Sequence, residues 1–173
     1  MNSTDRGTTV VAVVLIGLGV LFLAFNLIPG FDIGRTWPLI FFVIAAGFYL
    51  PAITWPSARQ GLAALYIPGS IMLVLGLIFL YNTLTDDWAS WAYAWTLIPA
   101  GVGLGLVLAS HYGQWERGVK WVGIWMIAGS VAVFGFFGTL FGGPLLKLIG
   151  PIVLIAGGVL LLLRTFTRPA SMT

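Results

Sequence analysis

The chain has 173 residues, of which 60% are hydrophobic and 8% charged, against roughly a quarter charged residues in an ordinary soluble domain. That composition excludes a soluble globular fold and implies a membrane protein. A net charge of +3 does not point to nucleic acid, because the Lys and Arg residues are scattered between apolar runs instead of clustered. The absence of cysteine excludes disulfides and thiolate chemistry, and a single histidine, His111, cannot build a metal site alone.

A helix crossing the hydrocarbon core needs about 20 mostly apolar residues, and six segments meet that requirement: Thr9 to Leu27, Trp37 to Thr54, Leu62 to Thr83, Ala92 to Ser110, Lys120 to Leu140 and Leu145 to Leu163. The expected fold class is all-α, a polytopic membrane protein forming one membrane domain over residues 1–173 with short cytoplasmic tails. The first segment follows Arg6 as a secretory signal would. It reads instead as a retained helix, because its apolar run exceeds the usual 7 to 15 or so residues and no small-x-small cleavage site follows. Between the segments lie IPGFDIGRT, WPSARQ, LTDDWASW, HYGQWERG and FGGP, stretches punctuated by Pro, Gly and Asp.

Orientation follows from the positive residues in short loops. With a cytoplasmic amino terminus, Arg6, Arg59, Arg117, Lys120, Arg164 and Arg168 fall inside, and only Arg35 and Lys147 outside. Both termini are therefore expected in the cytoplasm, with the plasma or inner membrane as location. Trp37, Trp88, Trp91 and Trp95 then mark the outer interface and Trp55, Trp115 and Trp121 the inner one.

WPLIFFVIAAG at 37–47 returns as WTLIPAGVGLG at 95–105 and as KLIGPIVLIAG at 147–157. Trp37, Trp95 and Lys147 each open an even-numbered helix as interface anchors, and Gly47, Gly105 and Gly157 follow in register. Gly19, Gly76 and Gly129 occupy the odd-numbered helices 18 or 19 residues upstream of those anchors. The unit is a helix, a short outer loop and a second helix: repeat 1 over about 8–56, repeat 2 over about 61–111 and repeat 3 over about 119–164. A two-helix unit returns the chain to its starting side, so the three repeats are parallel and would most simply pack around a pseudo-threefold axis.

Lipid does not press helices together as water does, and small residues let backbones approach. Gly19, Gly47, Gly76, Gly101, Gly105, Gly129 and Gly157 are accordingly assigned to helix packing within the chain, with a homo-oligomer surface as the alternative. Pro38 reads as a first-turn proline, while Pro68, Pro99 and Pro151 lie within or near helix starts.

Chemistry is sparse. No Asp, Glu, Lys, Arg or His lies mid-span, where such a residue would be a default functional candidate; Lys120 and Lys147 are near helix ends and can snorkel. Asp86 with Asp87, and His111 with Glu116, are the only candidate catalytic pairs. Both sit in short loops and read as solvated charges. Asn26 and Asn82 close the first and third helices, as caps or as interfacial hydrogen-bonding residues. GLGVLF and GVGLG lack the strand that a dinucleotide loop requires. No catalytic, cofactor-binding or metal residues are assigned, and the protein is expected not to be an enzyme.

A Gly-bearing helix ending near Asn, then Trp-Pro-Leu-Ile opening a second Gly-bearing helix, resembles the LiaI-LiaF-like transmembrane region of bacterial envelope-stress proteins. LIGLGVLFLAFNL with WPLIFFVIAAGFYL carries the likeness, and LVLGLIFLYNTL with WTLIPAGVGLGLVL repeats it with Thr for Pro. The paired-helix arrangement also resembles the HdeD family of acid-resistance membrane proteins. These resemblances imply a non-catalytic bacterial membrane protein that senses or regulates through contacts with membrane proteins and the lipid bilayer. With RTFTRPASMT just past the last predicted helix, a LiaF-like soluble domain, and with it the kinase-inhibiting role of LiaF proteins, is not expected. The alternative is a small solute transporter or channel, with Ser130, Thr139 and backbone freed at Pro99 or Pro151 lining a wet path.

Overall fold

A computed structural model describes residues 3–28, 32–55 and 58–143, and beyond them 147, 151–152, 155–159 and 162. The described residues are helical throughout their ordered elements. They form α1 (Ser3–Leu27), α2 (Ile33–Thr36), α3 (Leu39–Thr54), α4 (Arg59–Leu62), α5 (Tyr66–Thr85), α6 (Trp91–Ala94), α7 (Ile98–Tyr112) and α8 (Arg117–Phe141), with 3₁₀ turns at Ala63–Leu65, Trp88–Ser90 and Trp95–Leu97. Four stretches are long and apolar enough to cross a membrane: Gly7–Leu27, Gln60–Thr85, Trp88–Tyr112 and Arg117–Phe141. More than half of the sixth predicted segment, Leu145 to Leu163, lies outside the described residues.

The second predicted segment forms α3 and is joined to a short helix before it. α3 has 16 residues, about 24 Å at 1.5 Å per residue, which is short of the roughly 30 Å hydrocarbon core. The sequence reading missed the turn ahead of it. Asp32 caps α2 by accepting a bond from the Gly34 N–H at 3.0 Å, so helix begins inside what reads as the loop IPGFDIGRT. Trp37 and Pro38 keep right-handed helical backbone between α2 and α3, and 33–54 runs as a nearly continuous helix. Pro38 stands at the start of α3 as its N-cap residue, where a missing N–H costs little.

Punctuation at the other connections follows the same chemistry. Asp86 ends α5 in the left-handed region at φ 55, where Asp is among the better tolerated residues. Asp87 then caps the next turn, accepting from Ser90 N–H at 3.2 Å. Gly113 ends α7 because there is no room for more: a Cβ there would stand 2.3 Å from that of Ala63. The positive φ of 56 falls on Gln114 instead, so this turn places its glycine for space and leaves the left-handed backbone to its neighbour.

Helix packing is serial. α1 lies against α3, α3 against α5, α5 against α7 and α7 against α8. Packing around a threefold axis would bring like members of the repeats together, α1 with α5 and α8 or α3 with α7, and none of these is a principal contact among the described helices. The described helices form a row that exposes apolar side chains widely, among them Leu15, Ile16 and Val20 on α1 and Trp125, Phe136 and Leu140 on α8.

Candidate functional site

The seams of the row are built on glycine, although not always the glycines that the repeat singles out. A Cβ at Gly47 would meet Val14 of α1 at 2.3 Å, and one at Gly76 would meet Phe41 and Phe42 of α3 at 3.0 Å. Gly105 is closest to backbone: its Cβ would stand 2.4 Å from Ile67 Cα and 2.8 Å from the Tyr66 carbonyl. Gly101 approaches Ser70 and Ile71 of α5 at just over 3 Å. These four positions hold α1–α3, α3–α5 and α5–α7.

Gly19, Gly129 and Gly157 behave differently, since a Cβ at any of them meets nothing within 4 Å. Packing among the described residues does not require glycine there. The contacts pass instead through Gly17, facing Val43, and through the reciprocal pair Gly103 and Gly123, each placing a would-be Cβ about 2.5 Å from the other's carbonyl oxygen at 2.5 and 2.6 Å. Gly17 and Gly123 lie outside the repeated register, which is why periodicity passed over them. Gly103 was visible inside GVGLG.

Ser130 of α8 makes the most specific contact between helices. Its hydroxyl donates to the Thr96 carbonyl and accepts from the Ala100 N–H at 3.2 Å. Those two groups would bond each other directly in an uninterrupted α-helix, so Ser130 is inserted into the ladder at the start of α7, next to the 3₁₀ turn at Trp95–Leu97. Insertion of this kind is a recognised cause of helix distortion. Pro99 adds to it without cost, standing at the helix start where no N–H partner is needed. Thr139 is satisfied within its own helix, donating to the Phe136 carbonyl at 2.6 Å.

At one end of the row, here the tryptophan end, Trp37, Phe41, Phe79 and Trp91 form a continuous ring cluster, with Phe79 stacked on Trp91 at 5.3 Å. Trp37 is thus half-buried in protein, whereas Trp95 is exposed and donates from Nε1 to the Ala92 carbonyl at 3.2 Å. Lys147 is exposed, its backbone N–H bonded to the Gly143 carbonyl at 3.1 Å. Asn26 back-bonds to the Phe22 carbonyl at 2.8 Å. Asn82, by contrast, is fully buried. The Ser90 hydroxyl lies 2.6 Å from its Oδ1 and 2.7 Å from the Asp87 carbonyl, and Asn82 Nδ2 has no partner among the described residues. A hydroxyl has one proton, and the two ends of an amide are nearly alike in shape. Turning the nitrogen toward Ser90 lets it donate to Oγ while Oγ donates to Asp87, so that Asn82, Ser90 and Asp87 close the α5 to α6 connection as one unit.

At the opposite end, the tyrosine end, Tyr49 of α3, Tyr66 of α5 and Tyr112 of α7 converge, the rings 5.6 Å apart in each step. Tyr49 shares a hydrogen bond with Ser70 at 2.8 Å, and Trp115 Nε1 donates to the Gln60 carbonyl at 3.2 Å. His111 lies edge-on to Tyr112 at 4.8 Å, and Glu116 is the N-cap residue of α8. The two clefts of the α5–α7 pair lie at these two ends. One of 450 Å³ is walled by the tyrosines, and one of 350 Å³ by Tyr81, Ser90, Tyr93 and Phe134 among others. The chain matches no protein-family model, no curated protein and no solved structure.

Proposed function

We propose that this is a non-catalytic integral membrane protein of the bacterial cell envelope, acting as a regulator or sensor through contacts with other membrane proteins and with the bilayer. The observation that carries the reading is the row of the described helices: each packs chiefly on its chain neighbours, and large apolar side chains stand exposed along it. α8 has the best developed apolar face. Trp125, Phe136 and Leu140 are exposed at helical spacing on one side of it, while Gly123 and Ser130 on the other side are committed to α7.

The proposal includes six spans as three parallel repeats, with both termini and the tyrosine end cytoplasmic. Two features support the repeat. Trp37 and Trp95 occupy equivalent junctions, each following a four-residue helix, Ile33–Thr36 or Trp91–Ala94, and preceding a long one. Gly47 and Gly105, equivalent in sequence, each seat an even-numbered span on the odd-numbered span before it. The LiaI-LiaF-like resemblance supplies the envelope-stress context. A transporter or channel is the weaker reading, because Ser130 and Thr139, which would line its path, spend their hydroxyls on helix carbonyls.

Photocrosslinking in cells tests the contact role. A photoreactive residue at Trp125 is expected to capture a distinct membrane protein that is captured again from Phe136, on the same face, and not from Leu84 on α5. Recovery of lipid and self-products alone, together with solute flux in reconstituted vesicles, would contradict it.

A further inference from the structure

We infer that the cleft at the tyrosine end is a seat for one acyl chain of an anionic phospholipid, with the headgroup held against the basic end of the row. Three helices build the cleft: Tyr49 from α3, Tyr66 and Leu73 from α5, and Leu104, Leu108 and Tyr112 from α7. Its 450 Å³ lies in the range of small-molecule pockets, about 300 to 1,000 Å³. Leu73 lies two turns from Tyr66 on α5, and Leu104 lies two turns from Tyr112 on α7. The leucines therefore form the deep, apolar part and the tyrosines the mouth, the order that a chain below a headgroup requires.

Charge selects the headgroup. The tyrosine end carries Arg117 and Lys120 with Glu116, and the tryptophan end carries Asp32, Asp86 and Asp87 with Arg35. Basic residues beside a cleft between spans favour anionic lipids. Tyr112 stands at the mouth, 45% exposed, and offers a hydroxyl at headgroup depth. The 350 Å³ cleft at the other end has a comparable apolar lining but adjoins the acidic loop, so it lacks the electrostatic half of such a site and serves as the internal control.

The inference rests on the membrane placement proposed above and not on the contact role. Its test is the thermal unfolding of the full chain in detergent, with added phosphatidylglycerol or phosphatidylcholine of identical chains. Phosphatidylglycerol is expected to raise Tm by several degrees more. Leu104→Trp and Leu73→Phe, which fill the cleft, should abolish that excess, and so should the double change Arg117→Gln and Lys120→Gln. Leu97→Trp, in the other cleft, should keep it. Counting bound lipid by native mass spectrometry provides a second readout should either filling variant unfold early. Equal gains from the two lipids, or an undiminished phosphatidylglycerol excess in both filling variants, would overturn the seat alone. A wild-type chain that binds neither lipid would overturn the membrane placement with it.

Discussion

Gly105→Ala is expected to lower the unfolding free energy by about 1 to 3 kcal/mol, the usual cost of overpacking, while Gly19→Ala leaves it unchanged or raises it by up to about 1 kcal/mol. The two glycines are distinguished by what faces them. At Gly105 the added methyl meets backbone of α5, Ile67 Cα at 2.4 Å and the Tyr66 carbonyl at 2.8 Å, and backbone cannot swing aside as a side-chain tip can. α5 and α7 must separate along their whole contact, including the approach at Gly101. At Gly19 the methyl enters open space, and only the intrinsic helix preference for Ala over Gly remains, roughly 1 kcal/mol. Unfolding titrations of the purified variants in mixed micelles measure both. Equal stability of the two variants would remove glycine contact as the basis of the row.

Ser130→Ala should cost about 1 to 2 kcal/mol, because one hydroxyl serves two backbone groups of another helix. Single interhelical hydrogen bonds inside membranes average only about 0.6 kcal/mol, but here both the Thr96 carbonyl and the Ala100 N–H lose a partner where water does not replace it. Thr139→Ala is the matched control. Its hydroxyl bonds only its own helix, and its loss should stay within about 0.5 kcal/mol. Amide hydrogen exchange gives the local readout: Ala100 should lose protection in Ser130→Ala and keep it in Thr139→Ala. Unchanged exchange at Ala100 would mean that the direct Thr96–Ala100 bond re-forms and that Ser130 is dispensable.

The apolar helices were legible in the sequence because run length and charge spacing report directly on what can be buried in lipid, and four of them stand within a few residues of where hydropathy put them. Their ends were less so. Asp32 and Asp87 read as loop charges, yet each caps a short helix, and an N-cap is a property of local backbone that apolar counting does not sense. The glycine seams were half legible. Gly47, Gly76, Gly101 and Gly105 stand at contacts and also in a repeat or a GxxxG spacing, whereas Gly17 and Gly123 stand at contacts with no such signature, and Gly19 and Gly129 keep the register without a close contact among the described residues. Repetition marks equivalent positions along the chain, and what faces a position depends on its neighbour in space. The Ser130 insertion had no sequence signal beyond a polar residue in an apolar span. Its partner is 34 residues away and is backbone, which every residue carries.

Accessibility of single cysteines in intact cells tests the membrane placement most directly, and the chain has no cysteine of its own to interfere. Asp86 and Gln114 are both exposed and lie at opposite ends of the row, separated by the span Trp88–Tyr112. Asp86→Cys is expected to react with a membrane-impermeant thiol reagent in intact cells, and Gln114→Cys only after the membrane is opened. Reaction of Gln114→Cys with Asp86→Cys protected would reverse the orientation, and equal reaction of the two before the membrane is opened would contradict a span between them.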